Sequence, residues 1–278
     1  MRTLHINCEK QQGQKSWVKK EYLLEAAKRL GFDFVKDSKV DGDPKDYVLN
    51  VQPCEVSIGG EWTGLWHIDV SLSSPLINFY NEVDTLFVAS SVGILPHPKQ
   101  TVLFQACDPT FYDPLIPKQH DFVFCGSRGP IDIYYERDRI YSLLEKKYDC
   151  ITIEKGKEPK LYTDIISQAR IQIVQPCMDK AKWGMCAQRF FECLAIGPVL
   201  CDYTPDLELL GLVEGRDYMS YKNDRELIHK TNLLLSDEPL RMRIAKSGRT
   251  QALMQHTYDH RLVSIINLLK EHYNFDKP

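Results

Sequence analysis

Arg189 and Glu192 stand three residues apart in QRFFECLAIGPVLCDYTPDLEL, residues 188–209, where a helix ends at Gly197 and a short apolar strand leads into a polar turn. Trp183, Ala187, Phe190, Phe191 and Leu194 form an apolar stripe at helical spacing, and Arg189 and Glu192 point away from it. The pair has two readings. One is a solvent-exposed i,i+3 ion pair. The other is a carboxylate that accepts hydrogen bonds from a ribose, beside a guanidinium that neutralises phosphate. Upstream, FVFCGSRG (residues 122–129) places Gly126, Ser127, Arg128 and Gly129 just past an apolar strand and ahead of a helix. Main-chain N–H groups at such a helix start suit a phosphate, and a plain strand-to-helix turn is the alternative. WHID (residues 66–69) closes an apolar run, and His67 or Asp69 is of a type that takes a proton from a hydroxyl. Its alternative is a hydrogen-bonded core histidine with an Asp capping the next helix, because SLSSP follows.

Short apolar runs alternate with amphipathic stretches along the whole chain, the pattern of parallel sheets covered by helices. Strands are expected over 3–8, 47–51, 62–70, 85–90 and 101–106, with a helix over 16–30 that stops at Gly31. The proline-bearing stretch 108–119 reads as a connection, with the boundary near residue 117. Beyond it strands are expected over 122–125, 150–154, 171–174, 199–201 and 218–221. Helices are expected over 131–147, 162–170, 183–195, 224–236, 238–255 and 260–273. The expected division is 1–116, 117–259 and a terminal helix in 260–278. Ligands of such sheets bind outside the carboxyl ends of the strands.

The balance of 35 Lys and Arg against 38 Asp and Glu leaves a net charge of -3, so no global field draws a polyanion. A local patch from Lys15, Lys19, Lys20, Lys28 and Arg29 is the remaining basis for nucleic-acid contact. Nine scattered cysteines without CxxC pairs read as free thiols of a reducing compartment, and no apolar run has the length of a membrane span. A cytoplasmic protein is expected. No zinc-ligand spacing, HExxH or GxSxG occurs, so no metal is expected; His256 and His260 read as part of a helix start. The polar loop 8–15 carries no phosphate fingerprint.

The 188–209 block, taken with HTYDHR at 256–261, resembles the C-terminal domain of GT-B glycosyltransferases, most closely the group-1, CgeB-like (spore maturation protein-like) branch. Arg189, Phe191, Glu192, Leu194, Ala195, Gly197, Leu200, Asp202 or Tyr203, and later His256, Thr257, Tyr258 and Arg261, occupy the positions of that pattern. FVFCGSRG resembles the segment that opens the second domain of the same family. The resemblance implies two Rossmann-like, doubly wound α/β domains facing a cleft, with a C-terminal crossing helix. It implies a nucleotide-sugar donor, UDP-sugar first, with Glu192 on the ribose and Arg189, Gly126, Ser127 and Arg128 at the diphosphate. Thr204, Pro205 and Asp206 would lie near the sugar and diphosphate. Asp69, ahead of His67, would take the proton of an acceptor hydroxyl on a glycan, a protein or modified DNA. Many retaining relatives carry a second Glu eight positions before the one matching Glu192; here that position is Gly184, so retention does not carry over. Three alternatives stay open: a phage-type transferase acting on hydroxymethylated bases, a nucleotide-sugar epimerase or hydrolase, and a non-catalytic nucleotide-sugar binding protein.

Overall fold

Short runs of buried, mostly β-branched or aromatic residues build two parallel sheets in this computed structural model, which describes residues 2–7, 18–37, 47–51, 61–67, 80–91, 98, 100–110, 117–125, 135–153, 159–175 and 188–275. The chain divides into two units: Met1–Gln105 with Tyr258–Pro278, and Ala106–Thr257.

The first unit runs β1 (Leu4–Asn7), α1 (Val18–Leu30), β2 (Val35–Lys36), β3 (Tyr47–Val51), β4 (Trp62–His67), β5 (Thr85–Val88) and β6 (Gln100–Val102). Every strand pair is parallel, and the sheet order is β2-β1-β3-β4-β5-β6. All five residues of β3 are buried, as expected of a parallel strand covered on both faces. Helix α1 buries Tyr22, Leu23, Ala26 and Ala27 and stops at Gly31, whose φ of 70° lets the Phe32 N–H reach back to the Ala27 carbonyl at 2.9 Å. The edge strand β6 ends at Val102, short of the expected residue 106. Phe104 and Gln105 leave the ladder, and their carbonyls accept from Arg261 at 2.7 and 3.1 Å.

The second unit runs β7 (His120–Cys125), α2 (Tyr135–Glu145), β8 (Cys150–Ile153), α3 (Pro159–Ile166), β9 (Ala169–Val174), α4 (Gln188–Ile196), β10 (Val199–Asp202), a 3-10 turn (Pro205–Leu209), β11 (Met219–Tyr221), α5 (Asp224–Ser236) and α6 (Glu238–Gln255). Its sheet is again parallel, in the order β11-β10-β9-β7-β8. Phe122, Phe124 and Ile173 of the sheet pack with Ile140, Tyr141 and Leu144 of α2 in a core that α5 and α6 complete. Helix α3 ends at Ile166 and not at the expected Arg170. The Gln119 N–H takes the Gln168 carbonyl at 2.8 Å, and the chain from Ala169 on is drawn into the sheet.

The change of unit falls at Gln105/Ala106, where the sequence placed it at 116/117. Cys107 pairs with Thr257 and its N–H donates to the His256 carbonyl at 3.0 Å, so the chain joins the second unit before its prolines. The last helix, α7 (Tyr258–Tyr273), belongs to the first unit and lies along α1, with the Tyr22 and Tyr258 rings 5.2 Å apart and Arg29 paired to Asp259 at 2.5 Å. Among the described residues no helix is long and apolar enough to cross a membrane.

Candidate functional site

In both sheets the strand order reverses beside the first strand, between β1 and β3 and between β7 and β9. Adjacent connections leave in opposite directions at such a point, which opens a crevice at the carboxyl edge where ligands of these folds bind. The candidate site of the second unit is therefore sought where β7, β9 and β10 end. Helices α2 and α4 each connect parallel strands, so their first turns stand at that same edge.

Glu192 lies on α4 and is only 7% exposed. Its Oε1 accepts from the Gln188 side-chain Nε2 at 2.6 Å, one turn back on the helix. This corrects the exposed ion-pair reading of Arg189 and Glu192. Phe190 to Ile196 are all buried, because β9 and β10 cover one side of α4 and α6 another. Gly248 lets α6 approach closely, and Arg249 of α6 donates to the Ala195 carbonyl. Nε and Nη2 of Arg189 are buried as well, although the residue as a whole is half-buried. A buried carboxylate and a half-buried guanidinium on one helical turn can recognise a hydroxyl and an anion with reduced competition from water.

Thr204 and Asp206, at the end of β10, are buried, and Pro205 between them is exposed. Thr204 occupies the N-cap position of the 3-10 turn without a side-chain cap bond. Gly126, Ser127, Arg128 and Asp69 lie outside the described residues. His67 closes β4, its main chain paired with Val88 of β5, and its side chain is likewise outside them. His256 caps α6 and its ring lies 5.4 Å from that of Phe191, so it supports α4 from behind. Among the described residues no three potential metal ligands cluster.

The structure also assembles residues that spacing did not single out. Gln188 carries Glu192. At the strand ends Gln175 donates to Asp202 at 3.1 Å and accepts from the Tyr221 hydroxyl, and Arg137 on the first turn of α2 donates to the Gln175 carbonyl at 3.3 Å. At the reversal point of the first sheet, Asn7 donates to Asn50 at 2.7 Å and Asn50 to the Gly64 carbonyl at 3.2 Å, a buried amide pair at the ends of β1 and β3. An Asn closing a strand is visible in LHIN and in YVLNV; that the two strands are neighbours is not.

The family described as glycosyl transferase-like matches residues 116–267, more than half of the chain and all of the second-unit site. No curated protein matches the sequence. Among solved structures, AviGT4, a glycosyltransferase involved in avilamycin A biosynthesis, is similar over 98% of this chain and 98% of its own at 11% identity, with a TM-score of 0.65. HepE of Anabaena, solved with UDP, is similar over 98% of this chain and 100% of its own at 11% identity and a TM-score of 0.58. The DNA-modifying enzyme β-glucosyltransferase, solved with and without uridine diphosphoglucose, is similar over 99% and 100% at 13% identity and a TM-score of 0.54. At these identities the likeness is one of fold.

Proposed function

The chain belongs to the glycosyl transferase-like family, and from that premise we infer that this glycosyltransferase of GT-B fold takes its sugar from a uridine diphosphate donor and passes it to an acceptor hydroxyl. The observation that carries the donor assignment is the buried Glu192 carboxylate, held by Gln188 on the same turn as Arg189 at the carboxyl edge of the second sheet. Glu192 accepts from the ribose hydroxyls. Arg189, with Arg128 and the main-chain N–H groups of Gly126 and Ser127, faces the diphosphate, and Thr204, Pro205 and Asp206 lie by the sugar. In the reaction the acceptor oxygen bonds to the anomeric carbon as the bond from that carbon to the diphosphate oxygen breaks. The charge released on UDP is stabilised by the guanidiniums and helix N-termini. The acceptor proton passes to Asp69, or to His67. Among the described residues Cys107, Cys150, Cys193 and Cys201 are free thiols, which supports a reducing, cytoplasmic setting.

Calorimetric titration with UDP, GDP and several UDP-sugars tests the donor site. Binding of one nucleotide, weakened about tenfold or more by Glu192→Ala, is expected for loss of a charge-assisted hydrogen bond. Equal binding by the variant would overturn the assignment. UDP release that depends on an added acceptor separates a transferase from an epimerase, a hydrolase or a silent binding protein. Modified DNA is the second acceptor reading, because the DNA-modifying β-glucosyltransferase shares this fold over its whole length. Transfer of labelled glucose to hydroxymethylated duplex, and none to unmodified duplex, tests it.

A further inference from the structure

Three neighbouring strands of the second unit end on a buried polar network that the reading above does not use. Gln175, directly after β9, sends its side-chain Nε2 to Oδ2 of Asp202 at the end of β10 at 3.1 Å, and its Oε1 accepts from the hydroxyl of Tyr221 at the end of β11. All three residues are buried. Both halves of the amide are engaged, so rotating Gln175 would break two hydrogen bonds where water cannot replace them. The peptide carbonyl of this anchored residue accepts from Nη2 of Arg137 at 3.3 Å. One turn along α2, Tyr141 is buried and donates to the Ile173 carbonyl at 2.8 Å. Burial pushes the Tyr141 pKa up, and the charges of Arg189 and Arg137 oppose that rise. Arg139, two residues further on, serves a different purpose, because Asp224 holds it in a two-pronged pair at 2.7 and 3.0 Å. Arg137 and Arg189 thus both stand on first turns at the carboxyl edge, α2 following β7 and α4 following β9, and these two strands are neighbours at the reversal point of the sheet. Two guanidiniums presented from one strand edge favour an anion there.

We propose that Gln175 is a positioning residue: Tyr221 and Asp202 lock it, its carbonyl aims Arg137, and Arg137 joins Arg189 on the diphosphate of the donor. This deepens the transferase reading and rests on it. Gln175 touches no part of the donor. It acts through Arg137, in the way a second layer of hydrogen bonds orients the groups that bind a ligand.

The test is titration of the full chain with UDP and with uridine, for the wild type and for Arg137→Ala, Arg137→Lys, Gln175→Ala and Tyr221→Phe. Arg137→Ala weakens UDP by about tenfold or more, as loss of a charged hydrogen bond requires, and leaves uridine binding unchanged. Arg137→Lys recovers part of the loss. Gln175→Ala and Tyr221→Phe weaken UDP with the same selectivity, and neither weakens it further once Arg137 is already Ala. A merely structural role for Gln175 weakens UDP and uridine alike, or adds to Arg137→Ala, and either result overturns the positioning. Should Gln175→Ala fail to fold, Tyr221→Phe, which removes a single oxygen, decides the point. A wild type that binds UDP while Arg137→Ala binds it equally well ends this inference and leaves the transferase reading standing. A wild type that binds neither UDP nor GDP ends both.

Discussion

Gly248 sits inside α6, where helix propensity alone says that Ala should be better by about 1 kcal/mol. The packing says the opposite. A Cβ at this position would stand 2.4 Å from the Asp217 main-chain carbonyl oxygen and 3.4 Å from Cγ of Leu194 on α4. An ordinary carbon contact needs about 3.5 Å, so the helix or the turn must give by about 1 Å. The turn resists, because the Asp217 carboxylate accepts from the Val213 N–H at 2.9 Å, from Arg216 at 2.7 Å and from the Ser247 hydroxyl at 2.5 Å. Overpacking of this kind costs about 1–3 kcal/mol, and with so little freedom to relax the upper end applies. Subtracting the propensity gain leaves a net loss of about 2 kcal/mol, or about 4–8 °C in Tm for a unit of this size. Thermal and urea unfolding of Gly248→Ala measure it directly. Gly197→Ala is the control: the nearest atom to its Cβ would be Gln172 Cγ at 3.6 Å and its φ is not positive, so no loss is expected. A Gly248→Ala protein as stable as the wild type would show that the Asp217 turn yields to α6, and that its hydrogen bonds do not hold it in place.

Two further outcomes follow from the same unit. Gln188→Ala removes the 2.6 Å bond to Glu192 and should weaken UDP binding about threefold to tenfold while leaving the fold intact; unchanged affinity would mean that Glu192 needs no partner to hold its rotamer. Acid should destabilise this unit through three carboxylates. Arg139 holds Asp224 below its ordinary value of 3.8. Burial raises Asp217 and Glu214, but Arg216 and Ser247 outweigh it at the first, and Lys230 and Ser220 at the second, so both lie below their ordinary 3.8 and 4.5. Groups depressed on folding bind protons more readily in the unfolded chain, so their stabilisation is complete above those ordinary values and is lost as pH falls below them. Unfolding midpoints should therefore show no pH dependence from these three above about pH 5 and should drop below about pH 4, with a shallower drop in Asp217→Asn; an identical acid limb in that variant would refute the assignment.

Much of the architecture is local in origin and was legible without coordinates. Parallel strands buried on both faces write themselves as continuous apolar runs, and YVLNV, TLFV and FVFC announce the sheets in that way. Helix ends are equally local. Gly31 supplies the left-handed residue that closes α1, Asn223 accepts from the Glu226 N–H at the start of α5, and Asp237 does the same for Leu240 ahead of α6. The block around Arg189 and Glu192, with HTYDHR further on, marked the family, because each of the two motifs lies within one short stretch of chain.

Strand order belongs to the tertiary structure alone. Nothing near Asn7 tells that Asn50 will be its neighbour, and nothing near Val174 tells that β9 will pair with β7 on one side and β10 on the other. The reversal points that locate the candidate sites arise from that order. Burial of α4 is non-local too: a helix with two polar positions looks half-exposed until α6 covers its second side. Gln188, Gln175, Tyr221 and Arg137 are ordinary residues in sequence. They gain their roles because hydrogen bonds between strand ends and helix starts act over a few ångströms in space, while the chain separates Arg137 from Gln175 by 38 positions and Gln175 from Tyr221 by 46. Short-range preferences wrote the elements into the sequence, and only packing could decide which of their ends would meet.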